Sequence, residues 1–248
     1  MSDQIHAFAP PVIAHRGASA LAPENTLAAF AQAANDGARW VEADVKLTTE
    51  GIPIIYHDET LERTTKRQGL IADLSLQDVQ TLDAGSWFSD KFANTPVPLL
   101  TDALSLALKR DLRVNLEIKP CPGRTRATTM VTIIETSKIW PEGAPPPLIS
   151  SFDPEALLIA GQMHPDWPRG LLLREWNDRW HEQVERVNAQ AIHVDAKELN
   201  RARITQAREA DLMILAYTVN DVALAKQLLS WGVNAVFSDN PGEIIHGL

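Results

Sequence analysis

The chain has 248 residues, 45% of them hydrophobic and 22% charged, a balance that excludes a disordered polypeptide and supplies the core of one domain about the size of an α/β barrel. Its 23 Lys and Arg stand against 32 Asp and Glu, and the formal net charge of -9 repels polyanions, which excludes nucleic acid as a partner. The single cysteine, Cys121, leaves no intramolecular disulfide and fits a reducing, cytoplasmic setting.

The opening Met1 to Pro11 has neither the basic region nor the apolar core of a signal peptide, and no later stretch approaches the roughly 20 apolar residues of a membrane span. A protein without stable membrane insertion is expected. The first β-rich run, Pro11 to His15, ends in His15-Arg16-Gly17, where an imidazole and a fixed cation meet a glycine that permits an unusual turn. A helix is predicted over Asn25 to Asn35. The second run, Trp40 to Leu47, places Glu42 and Asp44 at i and i+2, so both carboxylates project from one face of the strand. The pair reads either as the polar side of a solvent-facing strand or as oxygen ligands of a divalent cation, which relieves the mutual rise in pKa of two neighbouring carboxylates.

The third run, Pro53 to His57, follows after only Thr48 to Ile52, too short for a crossover helix. It leads into His57-Asp58, where Asp58 either orients a neighbour or caps the turn. Glu59 to Pro98, with a helix-like patch over Ser75 to Leu82 and a loop-like one over Ala84 to Asn94, is too long for a simple connection and reads as an insertion over one end of a barrel. A helix over Asp102 to Arg110, with Thr101 as candidate N-cap, precedes the fourth run, Arg113 to Lys119. Its alternation puts Asn115, Glu117 and Lys119 on one face and Val114, Leu116 and Ile118 on the other. Polar groups on the inner face of a central strand need partners, because burying an unpaired charge is expensive; a metal and a phosphate together satisfy all three.

The remaining pattern alternates. Helices are predicted over Arg124 to Ser137, Pro154 to Met163, Asn200 to Glu209 and Asp221 to Trp231, with Asp153 as an N-cap and Pro154 in the favoured first position. Strands are predicted over Leu148 to Phe152, entered from the proline-rich loop Pro141 to Pro147, and over Arg169 to Leu173, Ala191 to Asp195, Leu212 to Val219 and Ala235 to Ser238. Strands alternating with helices imply βαβ units and a mostly parallel sheet. The expectation is an α/β fold, a TIM-type (β/α)8 barrel spanning 1–248 as one domain, with an insertion of about 59–98 after the third strand. Nine candidate strands compete for eight places, so one is irregular or misread.

In such barrels functional residues gather at the carboxyl ends of the strands. The clusters there supply what phosphodiester hydrolysis needs: a cation with Arg or Lys to neutralise phosphoryl oxygens, and two imidazoles to move protons. Together, His15-Arg16-Gly17, Pro23-Glu24-Asn25-Thr26, Glu42-x-Asp44, His57-Asp58 and Leu116-Glu117-Ile118-Lys119 resemble the motifs of the glycerophosphodiester phosphodiesterase family, above all its short cytoplasmic bacterial members. The likeness continues in Leu82 to Phe88, Ser150-Ser151-Phe152, Tyr217-Thr218-Val219-Asn220 and Gly232 through Pro241, departing at Tyr217, where the family often has Trp. The resemblance implies Mg2+ or Ca2+ held by Glu42, Asp44 and Glu117, with His15 and His57 as general base and acid in an unassigned order. It also implies a phosphate held by Arg16 and Lys119, and attack on phosphorus by the glycerol 2-hydroxyl or a water. The implied substrate is a glycerophosphodiester, cleaved to sn-glycerol 3-phosphate and an alcohol whose identity no motif encodes.

Other residues stay open at this level. Glu24 and Asn25 either reach the site or merely begin a helix. His193 reads as a satisfied core histidine before a catalytic one, Cys121 as a turn residue near the mouth, and Trp87 and Phe88 as anchors of the insertion before covers of the substrate. His6, His164, His181 and His246 read as solvated. A lysophospholipase D-type enzyme on the same scaffold and a non-catalytic barrel binding a phosphorylated metabolite are the rival readings. Removing either histidine separates the last, since a binder keeps its affinity. No stripe or patch identifies an oligomer interface.

Overall fold

The computed structural model describes residues 11–248, so the expectations for the first ten residues, including a solvated His6 and the lack of an export signal, lie outside the described residues. The strands are β1 (Val12–Ala14), β2 (Trp40–Leu47), β3 (Pro53–Ile55), β4 (Arg113–Ile118), β5 (Leu148–Ser151), β6 (Arg169–Leu173), β7 (Ala191–Asp195), β8 (Met213–Tyr217) and β9 (Ala235–Ser238). Their order is β1-β9-β8-β7-β6-β5-β4-β2-β3, with a further pairing of β1 to β2. Without β3 this is a closed, parallel, eight-stranded TIM-type barrel.

β3 is the irregular strand. Its register, Val45 to Ile55 and Leu47 to Pro53, is antiparallel to β2, which is what a five-residue connection allows and a parallel pairing does not. β2 therefore runs past the rim and β3 folds back beside it. The return brings Tyr56 N–H onto Asp44 O at 2.9 Å and so carries His57 down toward the carboxylates.

Around the barrel lie α1 (Leu27–Asn35), α2 (Leu100–Lys109), α3 (Thr125–Ile139), α4 (Pro154–Met163), α5 (Trp180–Val187), α6 (Arg201–Glu209), α7 (Val222–Trp231) and α8 (Pro241–Gly247). The outward strand residues Val41, Ala43, Val45, Val114, Leu116 and Ile118 pack against Leu104, Ala107, Ile133 and Leu157 of these helices, the two-sided burial typical of parallel sheets. The inward residues divide. Ile13, Trp40, Leu148, Ala191, Met213, Leu215, Ala235 and Phe237 form an apolar plug, above which the polar residues begin.

Several boundaries differ from the sequence reading. α1 starts at Leu27, not Asn25, because Thr26 is the N-cap and accepts from Ala29 N. Thr101 is not a cap: α2 starts at Leu100 behind Leu99, which makes no side-chain capping bond. Asp153 does cap α4, with Pro154 at its start. α5 and α8 went unread. The buried stripe of α5 is only Trp180, Val184 and Val187, with no side-chain N-cap, and α8 is a short helix in the terminal segment. His181 and His246 accordingly sit in helices rather than loops.

Residues 59–98 pack as a small layer of their own. Ile54, Tyr56, Leu61, Ile71, Val79, Leu82, Ala84, Val97 and Cys121 form a separate buried cluster, and Ser75 caps the short turn Leu76–Val79 in a capping box with Asp78. Trp87 donates from Nε1 to Ala84 O at 2.8 Å and stacks edge-on against Phe88. Both of these contacts lie within the insertion itself. Among the described residues no helix is long and apolar enough to cross a membrane.

Candidate active site

The register of β2 on β4 places Glu42 opposite Asn115 and Asp44 opposite Glu117, so two strands present their polar residues in matching layers. Glu42, Asp44 and Glu117 are all buried, and each offers an oxygen within 4.8 Å of the other two. The solvent-facing alternative for Glu42 and Asp44 is thereby excluded. Two cations lean on the cluster. Lys119 Nζ lies 2.8 Å from Glu117 Oε1 and 3.5 Å from Asp44 Oδ1, and Arg16 Nε lies 3.3 Å from Asp44 Oδ2. The Arg16 approach is an ion pair without hydrogen-bond geometry, so Nε keeps an unspent buried donor.

Charge in this packed space shows in the proton affinities. Burial, with Asp44 and Glu117 adding, pushes Glu42 well above the usual carboxylate range, and burial beside Asp44 raises Glu117. Burial also acts to raise Asp44, but Lys119 and Arg16 outweigh it and hold Asp44 below its ordinary value. Three carboxylates against two cations leave one formal negative charge, and a divalent cation turns that into one positive charge, the complement of a phosphodiester monoanion. The donors fit such an ion: all are hard oxygens, and Glu42 Oε1 is buried with no hydrogen-bond partner, an arrangement that is costly unless a cation occupies the space.

The turn at His15-Arg16-Gly17 aims these groups. Arg16 adopts a left-handed φ of 56°, its backbone N–H donates to Glu42 Oε2 at 2.9 Å, and its Nη1 donates to Glu24 Oε1 at 2.9 Å. Gly17 is required twice over. Its φ is +86°, and a Cβ there would lie 2.6 Å from the backbone of Ala29, where α1 crosses the loop. Asn25 Nδ2 donates to Asp44 Oδ2 at 2.7 Å. Glu24 and Asn25 thus reach the site, bonding Arg16 and Asp44, while Thr26 starts the helix.

Each proposed histidine is held by a carboxylate. His15 Nδ1 is 2.7 Å from Asp239 Oδ1, and His57 Nδ1 is 2.5 Å from Asp58 Oδ1. Burial works to raise both acids, but hydrogen bonds from His15 and Asn220 hold Asp239 at about 2, and those from Arg63 and His57 hold Asp58 at about 2. An ionised carboxylate only accepts, so each Nδ1 carries the proton and each Nε2 is left for chemistry. Burial lowers the proton affinity of His57.

The groups line a cavity of about 200 Å3 with His15, Arg16, Glu42, His57, Glu117 and Lys119 in its wall. It shares His57, Glu117, Lys119 and Phe152 with a wider outer cavity of about 750 Å3 that reaches Asp58, Cys121 and Arg174. Phe152 packs edge-on against Tyr217, with Arg174 4.9 Å and Lys119 5.7 Å from its ring centre. All seven sequence-predicted site residues therefore converge, six in the inner wall and Asp44 immediately behind it. His193 is buried in the same wall, yet its Nε2 has no partner, so it is not the satisfied core histidine expected. Gly170 makes room for it, since a Cβ there would lie 2.4 Å from Nε2. Burial pushes His193 down to about 3. Cys121 is buried and pushed up by burial, which is the wrong direction for a nucleophilic thiolate.

The sequence reading missed Asp239 and Arg63. Asp239 follows β9 in Ser238-Asp239-Asn240, a polar cluster at a strand's carboxyl end, so the rule that found His15 applies to it equally. Arg63 lies in the insertion, where no periodicity marks it.

The family model described as "Glycerophosphoryl diester phosphodiesterase family" matches residues 15–243. The chain is 32% identical to the glycerophosphodiester phosphodiesterase of Caldanaerobacter subterraneus subsp. tengcongensis, over 95% of this chain and 96% of that one. It is 30% identical to a glycerophosphodiester phosphodiesterase of Bacillus subtilis, over 92% of this chain and 83% of the relative. Among solved structures it is similar to an Oleispira antarctica phosphodiesterase in complex with the product sn-glycerol-3-phosphate, with 37% identity, a TM-score of 0.95 and 98% of each chain covered.

Proposed function

The chain belongs to the glycerophosphoryl diester phosphodiesterase family, its activity is the hydrolysis of glycerophosphodiesters, and we propose that it performs this with a divalent cation and two histidines, releasing sn-glycerol 3-phosphate. The observation that carries the proposal is the buried group of Glu42, Asp44 and Glu117 within 4.8 Å of one another, with Arg16 and Lys119 against it. Membership sets aside the non-catalytic reading.

In this reading Glu42, Asp44 and Glu117 hold Mg2+ or Ca2+, which when bound supplies charge stabilisation at the non-bridging phosphoryl oxygens. Arg16 contributes its unspent Nε donor and Lys119 its ammonium to the same oxygens, fixing the phosphate between them. One imidazole takes the proton of the attacking hydroxyl at Nε2: either a water attacks directly, or the glycerol 2-hydroxyl attacks and a water then opens the resulting cyclic phosphate, returning the proton to the 2-oxygen. The other imidazole delivers a proton from Nε2 to the departing alcohol oxygen. Asp239 and Asp58 keep each ring in the tautomer and orientation this requires and stabilise it when charged. In this reading the glycerol phosphate half occupies the inner cavity of about 200 Å3, which His15, Arg16, Glu42, His57, Glu117 and Lys119 line. The low cysteine content fits a cytoplasmic setting.

The test is turnover of glycerophosphocholine by chelator-stripped protein, read as glycerol 3-phosphate in a coupled dehydrogenase assay, with and without Mg2+ or Ca2+. Release restored by metal and lost in His15→Ala and Glu42→Ala supports the reading. Full release under chelator, or no release from any glycerophosphodiester with either metal, contradicts it.

A further inference from the structure

Among the described residues, the hydrogen bonds and ion pairs from the insertion to Glu24 and Asp58 come from one side chain. Arg63 lies in the single helical turn Glu62–Thr65, and its guanidinium forks onto two carboxylates. Nη1 and Nη2 donate to Glu24 at 2.6 and 2.8 Å, while Nε and Nη2 donate to Asp58 at 2.6 and 3.0 Å. Each carboxylate spends its remaining capacity inside the site: Glu24 on Arg16 Nη1 at 2.9 Å, Asp58 on His57 Nδ1 at 2.5 Å. Arg63 is not among the residues lining either cavity. It stands one step behind both a phosphate-facing cation and an imidazole.

The arrangement is stiff from both ends. The turn that carries Arg63 is tied to the insertion's core: Leu61, Thr64 and Thr65 are buried, Thr64 Oγ1 donates to Tyr56 Oη at 2.9 Å, and Thr65 Oγ1 donates to Leu61 O at 2.7 Å. An exposed ion pair contributes little to stability, so four charge-assisted bonds from one half-exposed guanidinium matter for geometry before stability. A lysine has no fork to span two carboxylates.

We propose that Arg63 is a positioning residue for the hydrolysis: it fixes Arg16 through Glu24 and His57 through Asp58, so that the insertion sets phosphate binding and proton transfer together. The inference rests on the roles given above to Arg16 and His57.

The experiment is steady-state kinetics on glycerophosphocholine with the metal-loaded full chain. Glu24→Gln is expected to act mainly on KM and Asp58→Asn mainly on kcat. Arg63→Met moves both and lowers kcat/KM by about ten- to a hundredfold, the usual effect of losing an outer partner. In the Glu24→Gln background it adds little to KM but still lowers kcat, and in the Asp58→Asn background it adds little to kcat but still raises KM, because each variant breaks one arm of the clamp. Arg63→Lys recovers only part of the loss, and free guanidinium restores turnover to Arg63→Ala, which a purely structural role does not predict. Should Arg63→Met fail to fold, Arg63→Lys and the rescue carry the test. Unchanged kcat and KM in Arg63→Met, while Arg16→Ala and His57→Ala lose turnover, overturns the clamp alone. Full turnover in Arg16→Ala and His57→Ala overturns the reading beneath it as well.

Discussion

The lower and upper halves of the barrel interior are built from the same strands, two residues apart, and do opposite work. On β2 the inward positions run Trp40, Glu42, Asp44 and Lys46, from an apolar plug to a set of buried charges. Ile13, Trp40, Leu148, Ala191, Met213 and Ala235 stabilise the fold by burial, whereas Glu42 and Glu117 are pushed toward protonation by the burial they share. The barrel thus places a locally unfavourable cluster on a rigid floor. Pre-organisation of this kind is what electrostatic catalysis requires, because the groups need not reorganise when charge develops.

The largest break of this division is expected from Asp44→Asn, which removes a carboxylate that Lys119, Arg16 and Asn25 all address. Turnover should fall by about a thousandfold in protein that still folds, although less stably because Lys119 and Arg16 lose their shared carboxylate; a folded variant that keeps its turnover would erase the contrast. Met213→Ala tests the other half. A vacated site in the plug costs roughly 2–5 kcal/mol, measured by urea unfolding, while kcat and KM of the folded enzyme stay near wild type.

His193 sharpens the boundary between the halves, because it is buried in the cavity wall with its proton affinity lowered to about 3. Its unfolded value is about 6.5, so the folded state prefers the neutral ring. The stability it contributes is present above about pH 6.5 and is lost as pH falls toward 3. His193→Leu should flatten that limb of an acid unfolding curve, by a few kcal/mol at most; an unchanged limb would show that His193 is not held neutral. The smallest effect is expected at Cys121, where Cys121→Ala should leave turnover within about twofold.

Legibility followed the physics of each part. β2 and β4 were readable because alternation alone separates Glu42, Asp44, Asn115, Glu117 and Lys119 from the residues that face the helices. The parallel sheet followed from strand and helix alternation, and its closure into a barrel from the chain length and the family resemblance. β3 was readable as a strand, and the five-residue connection marked it as irregular, but its antiparallel return depends on its pairing with β2 in the fold. α5 was lost because its buried stripe is three residues in a charged background, and Thr101 misled because a hydroxyl near a helix start is not always the cap. Asp239 and Arg63 act across 224 and 39 positions of sequence, on partners that only the folded chain brings near.

The central claim is that Glu42, Asp44 and Glu117 together hold one divalent cation. Calorimetric titration of Mg2+ and of Ca2+ into chelator-stripped protein tests it without reference to turnover. The account predicts one cation per chain for at least one of the two metals, and loss of that binding in Glu42→Gln and in Glu117→Gln, both still folded. Binding that persists unchanged in both variants, or no binding of either metal by the wild-type chain, would contradict it.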